Sequence, residues 1–302
     1  IVIGLWFSPK EQPAMQGIRV AVSYLGMTLT YFVVVPIFKV AQSWQNTFGI
    51  VGVAVCVVAV VWLLFGKMPE APQGEILGTS NNVDLKDVSI VDRKPVREES
   101  GLMQAAKLKE VWFLWLGMIG MIWAFNTYNA FLPTYLSEVR GFTIEAASSA
   151  TGTMTIFGLI AGLVAGGISS ALGRRKIMGW PVMTLALLGV FFVIFADGIL
   201  MYLGIGFIGV ASSAYAVMFS TVPAELPGSN EKMMGGAMAI IIGVAYIPTF
   251  FVPNCFEFFL PILGMQNTML LFGCTFIISI PPLVLIKETG PKGKANVLRE
   301  NS

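Results

Sequence analysis

The side chains best suited to hold a small polar molecule lie inside apolar runs. Asn126, Tyr128 and Asn129 precede Phe131-Leu132-Pro133, and Asn126 and Asn129, three residues apart, share one helix face. A buried amide left without a partner costs about 1–3 kcal/mol. Two on one turn therefore point to a cavity, with glue between helices or a wet outer funnel as the alternative. Tyr24, Thr28 and Tyr31 fall at i, i+4 and i+7, a single stripe. Tyr215 and Tyr246, with Thr151 and Thr155, are weaker candidates for which packing is the plainer role. This is the chemistry of binding by hydrogen bonds, not of bond making. The sequence has no His, so zinc hydrolysis and imidazole catalysis lose their usual side chain. Cys56, Cys255 and Cys274 are odd in number and unpaired in spacing, which argues against a disulfide framework or metal cluster. No catalytic residue, metal ligand or cofactor is expected, and a net charge of +2 offers no footprint for nucleic acid.

The elements that must position these residues are set by composition. In 302 residues, 56% are hydrophobic and 12% charged, at a mean hydropathy of +0.77. Too few ionised groups exist to coat a water-soluble domain. Uncharged runs of 27 residues (Ala146 to Leu172) and 29 residues (Phe258 to Ile286) fit a multi-pass membrane chain in contact with the lipid bilayer. A hydrocarbon core of about 30 Å needs about 20 apolar helical residues. Eight segments qualify: Val20 to Phe38, Thr47 to Phe65, Val111 to Leu136, Ala146 to Leu172, Ile177 to Ala196, Gly198 to Ala224, Met233 to Phe256 and Phe258 to Ile286. Alternating the loops gathers Lys10, Arg19, seven cations of residues 66–110, Arg174 to Lys176, Lys232 and four cations after Ile286 on one side, leaving Lys39 and Arg140 opposite. The positive-inside rule makes the crowded side cytoplasmic and puts the linker and C-terminal tail there, in a cell (plasma or inner) membrane.

Residues 66–110 carry seven basic and eight acidic side chains among Pro, Gly and Asn, a composition that cannot bury enough apolar area to fold alone. They read as a cytoplasmic linker, with Leu102 to Glu110 starting an amphipathic lead-in. The expected organisation is 1–65 as the last part of a first helical bundle, 66–110 as linker, 111–286 as a complete six-helix bundle and 287–302 as tail. No Asp, Glu, Lys or Arg is expected well inside a span. Gly158, Gly162 and Gly166 form a row one turn apart, which reads as a groove where another helix approaches closely.

Between two of the helices lies Gly166-Gly167-Ile168-Ser169-Ser170-Ala171-Leu172-Gly173-Arg174-Arg175-Lys176. It resembles the signature loop of the major facilitator superfamily, G-x-x-x-D-x-x-G-R-[RK], matching at Gly166, Gly173, Arg174 and Arg175, with Ser170 where the acid belongs. In that family the loop holds the outward-facing state through charge pairing. The missing carboxylate implies a weak latch, or cations that merely anchor a turn at the membrane surface. Trp6 to Gly17 and Glu225 to Gly236 resemble the entries to the family's fifth and eleventh helices, and Lys287-Glu288-Thr289-Gly290 resembles its acidic close. The resemblance implies an all-α bundle with the family's helices five to twelve, four more being expected upstream, and a substrate path along the seventh helix at Asn126, Tyr128 and Asn129. It implies alternating-access transport of a small polar metabolite or organic anion, with a proton as coupling ion. A drug-efflux antiporter fits less well, because the family's Gly-Pro kink in the fifth helix is replaced here by Thr30-Tyr31. The rival from another class is a non-transporting membrane sensor on the same fold.

Overall fold

The computed structural model describes residues 12–65, 100–226 and 228–290. Most of the linker, the stretch from Trp6 to Glu11, Pro227 and the tail beyond Gly290 lie outside the described residues, as does the side chain of Ser170. Among the described residues the secondary structure is helical throughout: α1 (Gln12–Ala41), α2 (Trp44–Phe65), α3 (Gly101–Ala106), α4 (Lys109–Glu138), α5 (Ile144–Leu172), α6 (Trp180–Phe195), α7 (Gly198–Glu225), α8 (Glu231–Met238), α9 (Ala245–Thr249), α10 (Val252–Gly273) and α11 (Phe276–Leu285). Residues Ala239–Val244 join α8 to α9 as a π-helical turn.

Helix starts follow from local chemistry. The Thr143 hydroxyl accepts the amide of Ala146 at the start of α5, and Asn230 Oδ1 accepts that of Met233 at the start of α8. The α5 helix ends at Gly173, whose left-handed backbone (φ 61°) is easiest for glycine. Seven continuous helical stretches are long and apolar enough to cross a bilayer, and the last, Lys232–Leu285, runs to 54 residues. It turns at Gly264 (φ 75°, ψ 165°), a conformation essentially confined to glycine, so one stretch accommodates two crossings. The sequence pattern had put this turn at Glu257, which lies instead within α10. Hydropathy could not find the break, because Phe258 to Leu263 is as apolar as what precedes it.

The core lies where α4, α5, α6, α7, α10 and α11 meet, around Tyr128, Met154, Met183, Ile205, Tyr215 and Phe276, each essentially inaccessible. Small residues let the helices close on one another. A Cβ on Gly189 would lie 2.6 Å from the carbonyl oxygen of Gly204, and the reverse contact is equal, so α6 and α7 touch backbone to backbone. The glycine row of α5 receives α1: Gly158 faces the ring of Tyr24, Gly162 the backbone of Ala21, and a Cβ on Gly17 would meet the Gly162 carbonyl and the Cα of Gly166. Gly152, under Phe32, extends the groove another turn and a half. By contrast α2 leaves its most apolar stretch unburied, with Thr47 near its start buried, and packs mainly on α1.

Candidate functional site

Four of the side chains singled out by type and spacing come to one place. A cavity of about 540 Å³ opens between α1, α4 and the α9–α10 junction, and its wall includes Tyr31, Asn126, Asn129 and Tyr246. Asn126 and Asn129 reach it because α4 turns their shared face toward α1. The Tyr31 hydroxyl lies 2.6 Å from the main-chain oxygen of Asn129 and donates also to its side-chain oxygen, tying α1 to α4 across the cavity edge. Asn126 makes no hydrogen bond to a described residue, so its amide donors and acceptor face the open space. Thr30 and Thr249 add hydroxyl oxygens, each already donating to a carbonyl four residues back in its own helix. Met27, Phe131, Val252 and Pro253 supply apolar wall, and no described charged residue lines the cavity.

The other candidates are held elsewhere. Tyr128 is wholly buried, with its hydroxyl 3.4 Å from the carbonyl of Met269 and against Gly273. The Tyr215 hydroxyl donates to the carbonyl of Leu114 at 2.6 Å, a tie between α7 and α4. Tyr24 fills the glycine groove, and Thr28 bonds Thr155 at 2.8 Å within the α1–α5 seam. Sequence reasoning overlooked Thr30 and Thr249, although Thr249 follows Tyr246 by three residues and therefore shares its helix face.

On the face carrying Arg174 to Lys176, the signature loop is pinned by acids. Arg175, 5% exposed, donates from Nε and Nη2 to Glu225 at 2.9 Å and 2.6 Å, and from Nη1 to Ser169 at 2.6 Å. Thr289 donates to the second oxygen of Glu225. Glu288 accepts the backbone amides of Arg175 (2.6 Å) and Lys176 (3.2 Å) at the start of a short 3₁₀ turn. The carboxylate that pairs with this loop comes from Glu225, at the end of α7. Gly166 and Gly173 serve the groove and the helix end, while Arg174 stays exposed. On the opposite face Lys39 pairs with Glu145 at 2.8 Å, and Arg140 pairs with Asp197 while donating to the last carbonyls of α6. Arg140 there balances the negative end of a helix dipole, a local reason for a cation on the sparse side.

An all-α, multi-pass membrane fold with a polar cavity between helices and a charge-pinned loop on one face is the architecture of a membrane carrier. The sequence model of the Major Facilitator Superfamily matches residues 1–253, and the chain belongs to that family. It is 25% identical over 225 residues to a galacturonate transporter of Dickeya chrysanthemi, covering 74% of this chain and 62% of that protein. It is 27% identical over 175 residues to a hexuronate transporter of Bacillus subtilis, covering 58% and 39%. It is 24% identical over 271 residues to a putative glycerol-3-phosphate transporter of Arabidopsis thaliana, covering 82% and 50%. The chain thus spans about half the length of the curated relatives it matches.

Proposed function

We propose that this chain transports a small, hydroxyl-rich organic anion across the cell membrane by alternating access, with the cavity at Asn126, Asn129, Tyr31 and Tyr246 as its share of the substrate path. The observation that carries this reading is the cavity wall itself. Amides and phenols that donate and accept without charge suit sugar hydroxyls. Three relatives are named for galacturonate, hexuronate and glycerol-3-phosphate, all hydroxylated anions, which supports the same class. Asn126 is the leading contact, because its amide has no competing partner. Asn129 and Tyr31 are bound to each other and would exchange that bond for one to substrate.

The face with Arg174 to Lys176 and the C-terminal residues is read as cytoplasmic, on the strength of the cation count. The α1 and α2 helices belong in this reading to a first bundle and α4 to α11 to a second, with residues 66–110 between them. Rocking of one on the other would run along the α1–α5 seam. Arg175 and Glu225 hold the signature loop to α7 while the cytoplasmic side is closed. Coupling to a proton is part of the proposal, and the titrating group is expected outside the described lining residues, where no carboxylate stands.

Uptake of radiolabelled D-galacturonate by the full chain in sealed vesicles tests the reading. Saturable uptake, accelerated by an inward proton gradient and abolished by a protonophore, is the expected result. Absence of saturable uptake for hexuronates and glycerol phosphate alike would favour the sensor on the same fold.

A further inference from the structure

The hydropathy pattern began the first span at Val20 and left Arg19 in a loop, but α1 begins earlier, and the part of it long and apolar enough to cross a membrane runs from Ala14 to Ala41, with Arg19 near its N-terminal end. Arg19 stands seven residues, about 10 Å, along the helix from Gln12. Its Nε donates to Gln16 at 2.8 Å and its Nη2 to Ser220 at 3.0 Å, across to α7. Both acceptors are neutral. No described carboxylate pairs with it, in contrast to Lys39, Arg140 and Arg175.

The geometry of these two bonds leaves a binding edge. A guanidinium has five N–H donors in a rigid fork. Gln16 and Ser220 take two, and the remaining three, including both on Nη1, meet no acceptor among the described residues. The side chain is exposed. Ser220, itself 6% exposed, passes its own proton to the carbonyl of Ala216 at 2.7 Å, so its lone pair stays aimed at Arg19 and fixes the fork. Two turns deeper on the same α7 face, the buried hydroxyl of Ser213 has no partner.

We infer that Arg19, held by Gln16 and Ser220, is an oxyanion subsite at the basic-face mouth of the transport path, where a carboxylate or phosphate docks on the free edge of the guanidinium. The inference rests on the transport reading above and adds to it a station for the substrate's charge, which the uncharged cavity wall lacks. Bidentate pairing to a planar oxyanion is the strongest contact this fork can make. Arg19 thus binds the anion, and Ser220 positions Arg19.

The test uses the full chain in phosphatidylcholine vesicles of known sidedness, with D-galacturonate and inorganic phosphate presented from each face. With Arg19→Gln, half-saturation from the basic face is expected to rise about tenfold or more while that from the opposite face changes less than about twofold. Arg19→Lys keeps charge without the fork and is expected to fall between. Ser220→Ala shifts the same one-sided constant modestly, and Ser220→Thr restores it. Equal shifts from both faces, or none, would overturn the subsite while leaving transport intact. No saturable transport of either anion by the unmodified chain would instead sink the transport reading on which it rests. A parallel series varies the anionic lipid fraction at fixed soluble anion. If Arg19→Gln abolishes only a lipid response, the oxyanion is a headgroup and the proposal is wrong; an unchanged lipid response supports it.

Discussion

At the residue scale, what a polar side chain does inside this bundle depends on whether a neighbour has already claimed it. Asn126 and Tyr215 are both polar side chains within apolar helices, yet one faces open space and the other donates at 2.6 Å to the Leu114 carbonyl. Their substitutions should separate cleanly. Asn126→Ala is expected to weaken substrate affinity by about 1 kcal/mol, about fivefold, with thermal stability unchanged. Tyr215→Phe should leave affinity alone and cost about 1 kcal/mol of stability, read as a lower unfolding temperature in detergent. The sequence made both residues visible as polar groups in lipid. It could not separate them, because the Leu114 carbonyl that takes the Tyr215 proton is backbone and carries no mark in the sequence. Arg19 escaped for the opposite reason: hydropathy places a charge outside a span by construction.

At the element scale, close approach of helices is written in glycine, and here the row on α5 was legible before any coordinates. Spacing four apart predicted the groove, and α1 occupies it with Gly17, Ala21 and Tyr24. Gly158→Leu would put a branched side chain into the Tyr24 ring. It should destabilise the α1–α5 seam by about 1–3 kcal/mol, measured as loss of thermal stability, with an Ala substitution at Gly167, which faces open space, as the neutral comparison. The turn at Gly264 was not legible, since one glycine among apolar residues looks like any other until its φ is known. The π-helical turn at Ala239–Val244 was equally silent. It inserts one extra residue per turn just before Tyr246 and so sets which face of α9 meets the cavity.

At the scale of the whole molecule, α1 is joined to the rest at both ends: Lys39 to Glu145 on one face, Arg19 to Ser220 on the other. Between them lies the cavity, closed at its edge by Tyr31 and Asn129. The Arg175–Glu225 pair differs from the Lys39–Glu145 pair in burial, 6% and 20% exposed against 62% and 52%. Buried pairs are costly to break from one side only. Glu225→Gln should destabilise the fold by on the order of 3 kcal/mol, whereas Glu145→Gln should leave the unfolding temperature almost unchanged. Thermal unfolding of the two variants in one detergent checks the contrast. Family and helix count were readable from the signature loop and hydropathy. The acid that completes the loop was not, because Glu225 lies 50 residues from Arg175 and only the fold brings them together.

The central claim is that the space between α1, α4 and α9 is where substrate sits. With Cys56, Cys255 and Cys274 replaced by Ser, Asn126→Cys should react with a small polar maleimide, and D-galacturonate should slow that reaction in a saturable way with the same half-maximal concentration as transport. Tyr128→Cys, behind the wall, should stay unlabelled. Labelling at Asn126→Cys that is indifferent to every transported anion would contradict the account.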